Sequence, residues 1–182
     1  MIGFAVSGSV AASWYVQSMQ IPLTSVEICA GAGGQALGLE AAGFMHRAVV
    51  ELDAHAVSTL RANRPGWNIV HGDVQDFDIE PYADDLDLLA GGVPCPPFSI
   101  AGKQLGQDDE RDLFPRALEL TAQSRPKALM LENVRGLAQP RFARYRNELV
   151  TELEELGYRT FWEVVTAAVS YTHLRAHETD SY

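Results

Sequence analysis

A chain of 182 residues, 47% of them hydrophobic and with no apolar run of membrane-spanning length, has material for one core and reads as a soluble chain. Its formal charge of −10 argues against a nucleic-acid-binding face unless the basic part lies elsewhere, since neutralising phosphates needs Lys and Arg. Two cysteines, Cys29 and Cys95, stand in different motifs, give no disulfide framework and suit a reducing cytoplasm.

Residues 1–20 contain Gly-Ser-Val-Ala-Ala-Ser and show no clear helical or strand period. No Lys or Arg precedes Arg47, so a secretory leader is not expected, and this stretch reads as a disordered or spurious extension with Met19 as the true start. At Leu23 the pattern changes. Leu23 to Ala30 predicts a strand, Gly31-Ala-Gly-Gly34 a tight turn, and Gln35 to Ala42 a helix stopped by Gly43. Glycines at that junction let backbone approach a ligand, and the helix start offers unpaired N–H groups.

The strand His46 to Glu51 ends in an acid placed to grip ribose hydroxyls, and Asp53 is the expected N-cap of a helix running to Asn63. A nucleoside cofactor follows. Gly31, Gly33 and Ala36 also satisfy the dinucleotide fingerprint, which leaves a nicotinamide cofactor open beside other adenosine-containing ones. Trp67 to Gly72 is a short strand, and Asp73 at its end is either an acceptor for an adenine amine or a turn acid.

The run Leu86 to Val93 predicts a buried strand ending in Gly91 and Gly92, and Cys95 follows between Pro94 and the pair Pro96 and Pro97. Three prolines fix φ and forbid the helix or ladder that would bury the thiol, so Cys95 is placed on a stiff loop where open α/β sheets put their chemistry. Ser99 and Lys103 lie on a long polar loop, either touching phosphates or simply solvated. Arg111 to Ser124 returns to helical spacing. Lys127 to Val134 is the next strand, and Glu132 at its apolar end is expected to be desolvated, with its pKa raised, and suited to bonding or protonating a substrate nitrogen. A helix from Phe142 to Leu156 and a strand from Arg159 to Ala168 complete the pattern, an α/β fold with a mostly parallel sheet and helices on both faces.

Val26-Glu-Ile-Cys-Ala-Gly-Ala-Gly-Gly34, Glu51-Leu-Asp53, Gly72-Asp-Val74, Gly92 to Gln104 and Glu132-Asn-Val134, in that order, resemble the catalytic domain of the cytosine-5 DNA methyltransferases. The resemblance implies a Rossmann-like methyltransferase fold over residues 21–168, truncated. It implies S-adenosyl-L-methionine held by Glu27, Cys29, Ala30, Gly31, Ala32, Gly33, Gly34, Glu51, Leu52, Asp73, Val74 and Pro94, with Glu51 on the ribose, Asp73 near the adenine and Val74 on its face. Cys95 becomes the nucleophile and Glu132 its partner acid, with Ser99, Lys103, Asn133 and Val134 on the substrate side. The implied substrate is double-stranded DNA with a flipped cytosine, in a restriction-modification setting where a cognate endonuclease is a possible partner. No metal and no membrane are expected. Glu27-Ile-Cys29 departs from the family's usual aspartate, aliphatic residue and phenylalanine.

The family's arginine-bearing motif, target recognition domain and final helix are not found after Ala168. Residues 169–182 instead resemble a translated sequencing-library adapter and read as a non-native tail, so His173 and His177 are not taken as a metal pair. The expected basic face is then reduced to Arg135, Arg141, Arg144 and Arg146. The same chemistry on tRNA, a nicotinamide oxidoreductase and a cofactor-binding fragment without catalysis are the competing readings.

Overall fold

The computed structural model describes residues 2–7, 22–94 and 112–165. Leu23–Ile28 (β2), Phe44–Glu51 (β3), Ile69–His71 (β4), Leu88–Gly91 (β5) and Ala128–Glu132 (β6) pair in parallel. Ile2–Ser7 (β1) and Tyr158–Glu163 (β7) complete a sheet of order β4-β3-β2-β5-β6-β1-β7. The helices are Gly34–Ala41 (α1), Ala54–Asn63 (α2), Glu80–Ala83 (α3), Phe114–Ser124 (α4) and Ala143–Glu155 (α5).

The expectation for the amino-terminal stretch is corrected at Ile2–Ser7. This segment is a strand antiparallel to both β6 and β7, with Phe4 opposite Met130 on one side and Phe161 on the other. Its partners lie at the far end of the chain, so no local signal announces it. Residues 8–21 lie outside the described residues, as does the tail from 166 onward.

Alternation along β2 sorts the layers, because successive strand residues face opposite sides. Val26 and Ile28 enter the main core with Leu89, Phe114, Leu118, Leu149 and Leu153, which brings α4 and α5 onto that face. Ser25 and Glu27 face the other side. There Ser25 Oγ meets His46 Nδ1 at 2.8 Å, while His46 Nε2 donates to the Ala36 carbonyl of α1 at 3.0 Å. Smaller clusters around Leu60 and Leu39 seat α2 and α1 on this second face. Burial keeps His46 below its ordinary pKa, although the Ala36 carbonyl and Glu40 oppose the shift.

Winding from β2 outward to β3 and β4, then back across to β5 and β6, creates a topological switch between β2 and β5. Ligands of open α/β sheets sit outside the carboxyl ends of the strands at such a point. Ile28 is opposite Gly91 at this boundary. A Cβ on Gly91 would stand 2.6 Å from Ile28 Cγ1 and 2.7 Å from the Ile28 carbonyl oxygen, so only glycine lets the strands meet.

Candidate active site

Parallel pairing brings Cys29, Glu51, Asp73, Gly92 and Glu132 to the same carboxyl edge. After β2 the chain turns sharply, with Cys29 at φ 52°, Gly31 at φ 56° and Gly33 at φ 92°, a left-handed run that favours glycine. The Gly33 amide donates to the Ala30 carbonyl at 3.0 Å, and Gly33 starts α1 without a side-chain cap. The first amides of α1 therefore lack intrahelical partners. A Cβ on Gly31 or Gly34 would meet nothing within 4 Å, whereas one on Gly33 would strike Leu60 Cδ2 at 2.6 Å. The turn is thus packed beneath and open above.

Glu51 ties the turn to the next loop. One carboxylate oxygen accepts from the Gly31 amide at 2.7 Å, and the other accepts from the Asp53 amide, also at 2.7 Å. Asp53 caps α2 as expected, accepting from the Ala56 amide at 2.8 Å, and this bond lowers its pKa. Asp73 accepts from the Gln75 amide at 2.9 Å and so shapes the turn that follows β4. The Cys29 thiol is pushed up to about 12, first by burial and then by the charges of Glu51 and Asp73. Cys29 therefore stays a thiol, unsuited to nucleophilic work.

Leu52 is 62% exposed, leaving an apolar side chain beside Glu51 free to cover a ligand. Ala32 and Pro94 are also exposed, and Ala30 is buried. Val74 is buried in the main core with Phe77 and Ile79.

Glu132 ends β6 with its side chain exposed, so the expected desolvation is absent. Its Oε2 lies 3.8 Å from where a Cβ on Gly92 would stand, alongside the strand exit that leads to Cys95. Asn133, expected to meet substrate, is buried at 4% exposure and donates Nδ2 to the Val93 carbonyl at 2.8 Å. It braces the Val93–Pro94 exit against β6. Val134 is 64% exposed on the same edge. Cys95, Ser99 and Lys103 lie outside the described residues.

The bracing role of Arg116 has no signal in the sequence, because besides its ion pair with Glu119 at 2.9 Å its partners are backbone carbonyls. From α4 it donates Nε to the Val74 carbonyl at 3.1 Å and a terminal nitrogen to the Phe77 carbonyl at 2.8 Å, fixing the turn after Asp73. Arg116→Met is expected to cost about 2 kcal/mol, the scale for charged hydrogen bonds left unmade. Amide exchange should accelerate at Asp76 and Phe77, whose N–H groups close that turn. Unchanged exchange there would contradict this role.

The basic face is smaller than the sequence suggests. Arg146 is committed to the Leu137 and Gln139 carbonyls, and Arg144 pairs with Glu148 at 2.9 Å. Arg141 lies over the Phe142 ring, and Arg135 lines a groove of about 560 Å³ with Gly136, Ala138, Gln139 and Val164.

Glu27 is the outlier of this region: it is wholly buried, and neither carboxylate oxygen has a hydrogen bond of ordinary geometry. Burial raises its pKa from 4.5 to about 8, against a smaller opposing pull from the Ala36 amide. The folded chain then keeps a proton that the unfolded chain loses near its ordinary value, so stability falls as pH rises from about 4.5 to about 8 and levels off above. Glu27→Gln is expected to abolish that slope, which runs at up to about 1.4 kcal/mol per pH unit. Denaturant midpoints of both proteins across this range test it, and parallel profiles would contradict it.

The sequence pattern of the C-5 cytosine-specific DNA methylases matches residues 23–171. The chain belongs to that family. It is similar to the Type II methyltransferase M.NgoMIV of Neisseria gonorrhoeae, 61% identical over 145 residues, covering 80% of this chain and 46% of that protein. It is also similar to M.NaeI of Lentzea aerocolonigenes, 56% identical over 155 residues, covering 84% of this chain and 37% of that protein. The chain therefore spans less than half the length of these relatives. A protein described as a DNA modification methyltransferase encoded within an Escherichia coli prophage superposes with TM-score 0.62 at 29% identity, over 73% of this chain and 38% of that one. A Spodoptera frugiperda DNMT2 variant shares the fold, with TM-score 0.59 at 24% identity over 73% of this chain and 41% of that one. The Rossmann-like methyltransferase fold expected from the motifs of this methylase family is thereby established. No helix among the described residues is long and apolar enough to cross a membrane.

Proposed function

We propose that this chain carries the cofactor site and catalytic loop of an S-adenosyl-L-methionine-dependent DNA cytosine-5 methyltransferase of Type II restriction-modification character. The observation that carries the reading is the convergence, at one switch point, of the open Gly31–Gly34 turn, Glu51 and Asp73 with Glu132 beside the strand exit to Cys95. The residues fit the cofactor: open space over Gly31 and Gly34, carboxylates for ribose hydroxyls and an adenine amine, and exposed Leu52 for an apolar face. Bound there, S-adenosyl-L-methionine supplies an electrophilic methyl group.

The chain's residues supply the rest. Carbon 5 of cytosine is a weak nucleophile, so the Cys95 thiolate adds to carbon 6 and turns the ring into an enamine reactive at carbon 5. Glu132 hydrogen-bonds N3 and the exocyclic amine and stabilises charge as the thiolate adds. After methylation, loss of the carbon 5 proton expels Cys95 and restores the ring. A base stacked in a duplex is out of reach of these groups, so it is flipped into the pocket. Cys29, held as a thiol, takes no part in the addition.

Covalent trapping tests the reading. A duplex with 5-fluorocytosine at the target has no carbon 5 proton to lose, so the Cys95 adduct persists and migrates as a denaturation-resistant complex. An adduct on duplex DNA that requires Cys95 supports the proposal. A protein that binds the cofactor yet forms an adduct only with tRNA would move it to the RNA substrate.

A further inference from the structure

The groove beside Arg135 has no part in that mechanism. One wall is the single turn Arg135–Ala138, and the other includes Val164, just past the end of β7. The first wall is firmly held: Leu137 is wholly buried, and Arg146 clamps the Leu137 and Gln139 carbonyls. Strand register places the groove. β1 is antiparallel to both β6 and β7, so those two strands run the same way, and Ile2 stands opposite Glu132 on one side and Glu163 on the other. Val164 is therefore one residue beyond the row that holds Glu132, on the same carboxyl edge. Two strand spacings, about 10 Å, separate β6 from β7. Arg135 itself follows Glu132 by three residues, so the groove and the acid share one edge.

Charge sets Arg135 apart from its neighbours. Arg146 is bound to carbonyls, Arg144 to Glu148, and Arg141 lies over the Phe142 ring. Arg135 is exposed, and no carboxylate pairs with it among the described residues. In a chain with 24 acidic residues against 14 Lys and Arg, an unneutralised guanidinium lining a groove fits an anion. Its planar fork matches the two free oxygens of a phosphodiester. Ala138 and Val164 place methyl groups in the same groove, which suit the carbon face of a deoxyribose. We propose that this groove binds the backbone of the DNA strand that carries the target cytosine, with Arg135 on one phosphodiester close to the flipped base. A separation of about 10 Å corresponds to about three nucleotides, at about 3.4 Å each along a duplex. This rests on the reading of Cys95 and Glu132 as a DNA cytosine-5 centre. Phosphate contacts fix register without reading bases, so Arg135 holds the strand beside Glu132 and is indifferent to the target sequence.

Fluorescence anisotropy with a labelled target duplex tests this in the chain extended to the length of its relatives, with and without Arg135→Gln. Across about 50 to 200 mM salt, the slope of log affinity against log salt should be shallower by about 0.9 in the variant. Its affinity near 0.1 M salt should be lower by about eightfold, the effect of one counterion no longer released. Arg144→Gln, which loses only the pairing with Glu148, should leave the slope unchanged. Neutral methylphosphonates placed singly along the target strand then locate the contact. At one position near the cytosine the wild type should lose about as much affinity as the variant has lost, and the variant should lose nothing further. Retained cofactor binding reports that the variant is folded. Equal salt slopes, or methylphosphonate losses that are the same in both proteins at every position, would overturn the inference, while a Cys95 adduct on 5-fluorocytosine DNA would leave the reading of the centre intact. A slope change seen only with tRNA would overturn the assignment to DNA. A folded wild type that binds the cofactor but no duplex would overturn both.

Discussion

Gly91→Ala should lower the folding stability of this domain by about 3 kcal/mol, the upper range for overpacking a close contact. The added methyl would fall 2.6 Å from Ile28 Cγ1 and 2.7 Å from the Ile28 carbonyl oxygen. The Ile28 side chain can rotate away; the carbonyl belongs to a strand fixed by pairing with β3 on its other side. Relief must therefore come from separating β2 and β5. For a domain of this size the loss corresponds to a fall in melting temperature of about 6–12 °C. Gly66→Ala is the control, because a Cβ there meets nothing within 4 Å. A melting temperature for Gly91→Ala within a degree of the control would contradict the close approach at the switch point.

Cys95→Ser in the chain extended to the length of its relatives should reduce single-turnover methyl transfer by about 10³-fold or more, the scale for deleting a covalent nucleophile. A hydroxyl at that position is far less ionised than a thiol, so addition to carbon 6 fails before the methyl group can move. Cofactor binding should be unchanged, since the Gly31–Gly34 turn, Glu51 and Asp73 are untouched. Glu132→Gln should lower the rate by about 10²–10³, as loss of one charge-stabilising contact does. A Cys95→Ser protein that retained a tenth of the activity would rule out the covalent route.

The central fold was legible because each element from Leu23 onward is short, apolar and punctuated by Gly, Pro or an acid, the local grammar of alternating strands and helices. β1 escaped notice for a physical reason. Ile2–Ser7 is a six-residue strand with Gly3 and Ala5 in it, and what makes it a strand is pairing with Ala128–Glu132 and Tyr158–Glu163. The site divides in the same way. Asp53 could be placed as a helix cap because its partner, the Ala56 amide, lies three residues on in the same turn. The burial of Asn133 and Val74 was not legible, because burial is decided by elements distant in sequence. Glu132 was read as buried from its apolar neighbours, but it stands one residue beyond the covered part of β6. Arg116 reaches the Val74 and Phe77 carbonyls, groups that every residue has, and its pairing with Glu119 on the same helix gives no hint of them.

The measurement closest to the central claim is transfer of labelled methyl from S-adenosyl-L-methionine by the extended chain, with duplex DNA and tRNA offered separately and Cys95→Ser run in parallel. The account predicts label on cytosine carbon 5 in DNA, absent with the variant. Label confined to tRNA, or no label from a folded protein that binds the cofactor, would contradict it.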